Sequence, residues 1–302
     1  MKTPNTKKNN LKNRKQKGAS KTKKCSPYSS IKKVGSNTCL TPDVLEYIKT
    51  TYNKEHKTDP IGTTNPVDLF QTLKSKYQCN EDLCWIQKIH DKTLQKKIKT
   101  QIFAPEKPAE WKKNPNEWLS NFDILDVLRQ YEVAYPHFRF IEPSPIDFND
   151  KNNGTCISQE LCSFHLTPSK TQQIDKQQID KQQIGIIFNL DKHDEPGSHW
   201  VSMYIDIDQK KIYYFDSAST HIPKEIAEFK DRLLRENPDF KFLSNSIDHQ
   251  QGNTECGMYS LYFIIQMLLS KNRLRHFQTH FNNKKKRITD KMVEQYRNVY
   301  FN

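Results

Sequence analysis

The stretch from His249 to Leu269 constrains the chain most. It reads His249-Gln250-Gln251-Gly252-Asn253-Thr254-Glu255-Cys256-Gly257-Met258-Tyr259-Ser260-Leu261 and continues almost wholly apolar to Leu269. A polar loop with one glycine thus hands a single cysteine to the first turn of a hydrophobic helix. A thiol there faces unpaired N–H groups and the positive end of the helix dipole, both of which favour the thiolate. The thiolate is the form in which cysteine acts as a nucleophile. A lone cysteine at a helix start can equally be structural, so the rest of the chain decides.

At 302 residues there is room for one large or two medium domains. Only 8 residues are Gly, and neither a GxGxxG nor a GxxxxGK[ST] pattern occurs, which argues against a glycine-rich phosphate-binding fold. The net charge is +13, but the first 42 residues hold 12 Lys and Arg and no acid. Removing those 12 from the total of 48 leaves 36 basic residues against 35 acidic ones, a balanced body. Residues 1–33 are Lys-, Asn-, Thr- and Ser-rich, and a disordered basic tail is expected. Such a tail suits contact with nucleic acid or another acidic partner, and equally a solubilising or targeting role. The 7 cysteines are odd in number, no apolar secretory leader precedes them, and no apolar run is long enough to span a membrane. Free thiols in a reducing compartment are therefore expected. Cys79 and Cys84 lack a second pair, so a zinc site there is weakly supported.

Residues 34–104 read as a helical accessory, or arm, domain without a catalytic constellation of its own. Thr41-Pro42-Asp43 is an N-cap, an N1 proline and a first-turn acid. Helical spacing predicts helices over Pro42 onward, Pro66–Tyr77 and, as one unbroken element, Asp82–Ile98. Residues 105–302 form the expected core domain, entered through a proline-rich crossing at 103–116. Trp118–Ile124 opens a helix and Phe138–Ile141 is a short strand. Pro143-Ser144-Pro145-Ile146-Asp147-Phe148 is an extended turn segment. The Gln-Gln-Ile-Asp-Lys repeat marks a low-complexity loop insertion at 170–184. Strands follow at Gly185–Leu190, His199–Ile207 and Lys211–Asp216, then a helix over Pro223–Glu236 and a further strand near Phe240–Asn245.

A nucleophilic cysteine needs a histidine base, and the histidine needs a third group to orient it. With 10 His in the chain, position is the only guide. If the strands around Asp208-Gln209-Lys210 form a hairpin, residues whose numbers add to about 416–418 face one another. His199 and Asp216 add to 415 and so share the open end of that hairpin. A carboxylate there would raise the basicity of the imidazole and fix its tautomer. Gln250, six residues before Cys256, could donate to an oxyanion together with the Cys256 N–H. Gln251 is an open rival for that role.

His199-Trp200, Phe215-Asp216-Ser217, Gln250 and Asn253-Thr254-Glu255-Cys256-Gly257 resemble, in order and type, the motifs of the ubiquitin-like-protein (SUMO) specific cysteine proteases and the related adenovirus proteinase. The resemblance spans about Glu117 to Tyr300 and includes Trp118-Leu119. It implies an α+β, papain-like fold, circularly permuted, with a mixed central sheet. It also implies cleavage after small residues, typically Gly-Gly. Carried over, Cys256 is the nucleophile, His199 the base, Asp216 the orienter and Gln250 the oxyanion donor, with Trp200 lining the substrate channel and no metal or cofactor required. The helical domain with Asp82-Leu83-Cys84-Trp85-Ile86 and the Pro143–Phe148 segment resemble the polyprotein-processing proteases of large cytoplasmic DNA viruses, of the African swine fever virus kind. Asp216 departs from that group's Asn. The expected activity is then cleavage of viral structural polyproteins at Gly-Gly-Xaa sites during virion maturation, in the virion and the host cytoplasm. An isopeptidase acting on host ubiquitin-like modifiers shares the same residues. A non-catalytic nucleic-acid binder using residues 1–33 is the reading outside enzymes.

Overall fold

Residues 23–166 and 182–302 are described by the computed structural model. Three apolar clusters organise them. The first belongs to the N-terminal helices: α1 (Pro27–Lys32), α2 (Pro42–Glu55), α3 (Pro66–Tyr77), α4 (Asp82–Gln87) and α5 (Lys92–Ile102). Leu45, Ile48, Leu69, Leu73, Trp85 and Ile98 meet in its centre. α3 is capped by Asn65, whose side chain accepts from the Val67 and Asp68 amides, with Pro66 at N1.

Two expectations are corrected here. The helix anticipated over Asp82–Ile98 is broken into α4 and α5, because the Asp91 carboxylate accepts from the Thr93 and Leu94 amides and starts a new helix. The tail expected to be disordered to residue 33 is ordered from Lys23. Ser26 caps α1, Ser26 and Ser29 are buried, and α1 packs on α5 and on the helix over Asn121–Ala134. Lys24 donates to the Phe301 carbonyl at 3.0 Å. These residues are therefore held by the domain instead of extending from it. The remaining tail residues and most of the Gln-Gln-Ile-Asp-Lys insertion lie outside the described residues, although Gln183 is already the first residue of a strand.

Six cysteines, expected as free thiols, are joined as Cys25–Cys39, Cys79–Cys84 and Cys156–Cys162. Cys79 and Cys84 are thus bonded to each other and do not form a zinc pair. Cys256 is the one cysteine left free. Among the described residues, no helix is long and apolar enough to cross a membrane.

The second and third clusters cover the two faces of one sheet. Its strands are β1 (Phe138–Ser144), β4 (Gln183–Asn189), β5 (Trp200–Asp206), β6 (Lys211–Phe215) and β7 (Lys241–Ser244), in the order β1-β4-β5-β6-β7. A separate ribbon pairs β2 (Lys151–Asn152) with β3 (Thr155–Cys156). The outer pairs β1/β4 and β6/β7 are parallel and the inner pairs antiparallel, so the sheet is mixed. Every residue of β5 is buried, as a central strand covered on both sides requires. Alternate residues divide between the faces. Val201, Met203 and Ile205 join Ile226, Phe229 and Leu233 of α8 (Lys224–Glu236), while Trp200 and Tyr204 join the opposite cluster. That opposite cluster is filled by α6 (Asn121–Ala134), α9 (Cys256–Leu269) and α11 (Asp290–Tyr300). The short helices α7 (Gln159–Cys162) and α10 (Arg273–His276) flank the core.

Nearly every residue of α9 is buried. Burying each of its large side chains is worth roughly 2 kcal/mol, so this helix anchors the cluster. It comes so near the sheet that a Cβ on Gly185 of β4 would lie 3.0 Å from Ile264 Cγ2 and 3.0 Å from Phe138 Cζ. The architecture is thus the α+β class expected, a mixed sheet between helical layers with further helices at the N-terminus.

Candidate active site

His199 sits one residue before β5 and Asp216 one residue after β6. Facing residues of this hairpin add to 417, as in Ser202 with Phe215, inside the expected window. The two side chains meet: His199 Nε2 donates to Asp216 Oδ1 at 2.7 Å. The buried carboxylate is held from every side. Oδ1 also accepts from the Ala218 amide at 2.9 Å, and Oδ2 accepts from the Thr220 amide and hydroxyl at 2.9 and 2.6 Å. Asn245 brackets the Asp216 backbone, receiving its N–H at 3.0 Å and donating to its carbonyl at 2.7 Å.

Cys256 is the first residue of α9 and is buried. The Cys256 thiol and the Asp216 carboxylate both act on His199 in the sense that favours its protonated form. Burial pushes the His199 imidazole down, but the bonds to Asp216 and Cys256 outweigh it and raise the group to about 9. Burial pushes Asp216 up, yet His199 and Thr220 bring it down to about 2. A base that readily holds a proton, an ionised carboxylate behind it and a thiol in front can together generate a thiolate.

The other histidine near Cys256 in sequence cannot do this. His249 is buried, and burial lowers its affinity for a proton. Its Nε2 bonds the Phe281 carbonyl at 2.9 Å and its Nδ1 accepts from the Ile288 amide at 3.1 Å. Both ring nitrogens are occupied by backbone, so it is a strut for the loop that follows.

That loop separates the two glutamines. Gln250 accepts from the Ser217 hydroxyl at 2.7 Å, and its amide N–H bonds the Ser217 carbonyl at 2.9 Å. This places Gln250 beside Asp216, with Nε2 donating to the Gly252 carbonyl at 2.9 Å. Gln251 is exposed and turns its side-chain amide toward Asp248 and the Gln250 carbonyl.

Trp200 follows His199 and packs on the start of α9. Its Nε1 donates to the Leu119 carbonyl at 3.1 Å, and its own carbonyl accepts from Ser260 at 3.2 Å. A Cβ on Gly257 would come to 3.1 Å from Leu119 Cβ and 3.3 Å from Trp200 Cδ1. Only glycine therefore fits after the cysteine without moving the indole. From Trp200 a groove of about 620 Å³ runs past Leu119, Ser144 and Gly197 to His193.

Two supporting residues, Arg297 and Asp290, carry no signal in the sequence. Glu255, immediately before Cys256, is buried and paired with Arg297, whose Nε and Nη2 donate at 3.1 and 2.8 Å. Arg297 also donates to the Glu117 carbonyl at 2.9 Å and lies over the Trp111 ring. Asp290 gathers the loop by accepting from the Gln251 and Gly252 amides and the Tyr259 hydroxyl. An acid beside the cysteine was visible, but 48 Lys and Arg gave no means of choosing its partner.

Residues 157–301 match the profile of the Ulp1 protease family, C-terminal catalytic domain. Thiol protease R355 of Acanthamoeba polyphaga mimivirus is 29% identical over 270 residues, covering 81% of this chain and 84% of that protein. Cysteine protease S273R of African swine fever virus (isolate Tick/Malawi/Lil 20-1/1983) is 28% identical over 219 residues, 69% of this chain and 74% of that protein. The crystal structure of the African swine fever virus pS273R protease shares the fold, with a TM-score of 0.57 over 92% of this chain and 95% of that one at 20% identity.

Proposed function

We propose that this chain, whose residues 157–301 match the Ulp1 protease family, is a cysteine endopeptidase that cleaves viral structural polyproteins after Gly-Gly, at the site of virion assembly. The observation that carries the reading is the His199 ring held between Asp216 and the only free thiol. Cys256 passes its proton to His199, and the thiolate attacks the carbonyl carbon of the second glycine. The Cys256 amide and the Gln250 side chain, which gives up its bond to the Gly252 carbonyl, donate to the oxyanion. His199 then protonates the departing amine. A water, deprotonated by His199, hydrolyses the thioester and restores the thiol. Asp216 holds the ring throughout.

The preference for glycine is supported by Trp200, which is pinned at both its ring nitrogen and its carbonyl against the start of α9. A fixed indole beside the nucleophile leaves a slot suited to a backbone without side chains. Cys256→Ala and His199→Ala should each abolish cleavage of a Gly-Gly-containing peptide while the melting transition persists. Activity retained in either variant overturns the assignment. Replacing the second Gly of the peptide by Val should block cleavage by the unaltered protein. Covalent labelling by a modifier-derived probe, with no cleavage of short peptides, would instead favour an isopeptidase, a reading motivated by the relative called SUMO-1 cysteine protease S273R.

A further inference from the structure

Two segments with no part in the chemistry above come together at the wall of the groove. One is the Pro145–Phe148 turn that follows β1 and the other is the Asp191–Ser198 turn that precedes His199. The Ile146 amide bonds the Asp191 carbonyl at 3.0 Å. Asp147 is buried and uses both carboxylate oxygens on one residue: Oδ1 accepts the His193 amide at 3.0 Å and Oδ2 the His193 Nδ1–H at 2.7 Å. A buried carboxylate that grips a backbone amide and a ring nitrogen of the same histidine fixes that ring in one orientation and one tautomer. The ring itself is half exposed and lines the groove. Among the described residues, no protein group is bonded to its Nε2.

The charges along the groove are unequal in what they leave free. Glu195 is turned back on its own loop, accepting the Lys192 amide at 2.8 Å. Glu117 is occupied by Asn114 at 2.9 Å and by the Trp118 amide at 3.3 Å. Lys192 lines the same groove beside His193, and its ammonium has no acceptor among the described residues. Glu195 and Glu117 are therefore taken up by near neighbours, and the groups that face the groove are Lys192 and His193 Nε2, which donates once the ring is protonated. The hydrogen bond to Asp147 also raises the affinity of His193 for a proton, with Asp194 and Asp150 acting in the same sense.

The geometry points to His193, fixed by Asp147, as a specificity-determining residue that binds an acidic side chain of the substrate upstream of the Gly-Gly pair. The inference rests on the protease reading, since it assigns the non-reacting part of the same peptide to the groove that begins at Trp200. Remote contacts of this kind hold the scissile bond in register with the nucleophile. Asp147 is a positioning residue here and His193 the contact.

The test uses the full-length protein and a set of Gly-Gly peptides in which each position upstream of the pair is made Glu, Gln or Lys in turn. At one position Glu should lower KM about tenfold relative to Gln, the worth of one charge-assisted hydrogen bond at a partly exposed site, with kcat unchanged. Lys there should be worse than Gln. His193→Gln should erase the Glu-over-Gln preference, read as the ratio of the two KM values. His193→Gln keeps the bond from the residue-193 amide to Asp147 but gives up the ring's bond, so a melting curve recorded beside the kinetics separates recognition from folding. Equal KM for Glu and Gln peptides at every position, or a preference for Lys, overturns the inference while leaving the protease reading standing. A preference for Glu that survives in His193→Gln also overturns it. Failure of the protease reading would look different, because no peptide would then be cleaved.

Discussion

Replacing Arg297 with Met should be the most damaging single change outside the reacting groups. The side chains of Arg297 and Glu255 are each 5% exposed and share two hydrogen bonds, at 3.1 and 2.8 Å. Removing the guanidinium leaves a carboxylate buried next to Cys256, and loss of one partner of a buried pair costs about 3–5 kcal/mol. The variant also gives up the donation to the Glu117 carbonyl at 2.9 Å, while Met keeps part of the contact with Trp111. For a chain of this size each kcal/mol moves the melting temperature by about 2–4 °C, so a fall of about 10 °C is expected. Because Glu255 leads directly into the first turn of α9, kcat/KM should fall as well, even at temperatures where the variant is folded. Calorimetry on Arg297→Met, Arg297→Lys and the pair Glu255→Leu with Arg297→Met checks the reasoning. Lys restores a charge but neither the bidentate geometry nor the stacking, so it should recover only part of the loss. The double variant should be more stable than Arg297→Met alone, since it no longer strands a charge. A single-variant loss below about 1 kcal/mol, typical of an exposed pair, would refute the claim that this ion pair fixes the start of α9.

Two further outcomes follow from the same geometry. The pairing of His199 with Asp216 stabilises the fold in a defined pH window. The His199 contribution is complete below about 6.5 and is lost as pH rises through about 9; the Asp216 contribution is complete above about 3.8 and is lost as pH falls toward about 2. Melting temperatures of the unaltered protein should therefore drop at both edges, and Asp216→Ala should flatten both; an unchanged profile in that variant would contradict the pairing. Gly257→Ala should leave stability nearly unchanged, because about 1 kcal/mol of helix preference offsets the crowding. Its methyl would meet Leu119 Cβ at 3.1 Å and Trp200 Cδ1 at 3.3 Å, and displacement of the indole should lower kcat/KM for Gly-Gly peptides by on the order of tenfold. Normal kinetics in Gly257→Ala would mean that Trp200 does not set the slot.

The residues that could be read from sequence are those whose signal is local or two strands apart. α9 was visible as an apolar run, and the hairpin register followed from a short connection at Asp208-Gln209-Lys210, because pairing in a hairpin is fixed by its turn. His199 and Asp216 were brought together by counting alone, and β5 and β6 meet in that register. The break between α4 and α5 was hidden because the apolar spacing runs on through it; only Asp91 acting as a cap marks it. The ordered end of the basic segment was hidden for a different reason. Composition reads Lys23 to Lys33 as tail, but Cys25 pairs with Phe103 across a β-bridge and α1 covers α6, contacts with distant residues that no window of ten reveals. The same holds for the struts Arg297 and Asp290, which reach the cysteine loop from the last helix.

What the structure adds to the cysteine is the means by which two separately built halves keep one geometry. The hairpin presents His199 and Asp216 from a fully buried central strand. The cysteine arrives from a loop that has no regular structure of its own, and such a loop would ordinarily be mobile. It is held instead by four unlike contacts: Gln250 on Ser217, His249 on Phe281 and Ile288, Gly252 on Asp290, and Glu255 on Arg297. The first of these ties the loop to the hairpin, as does the His249 amide on the Ser217 carbonyl at 2.8 Å. The other three tie it to the C-terminal segment from Phe281 to Arg297, so the position of the thiol relative to the imidazole depends on residues that never touch substrate. A thiol and an imidazole must stay within hydrogen-bond reach to exchange a proton, and in this chain that reach is set from both the hairpin at Ser217 and the C-terminal segment.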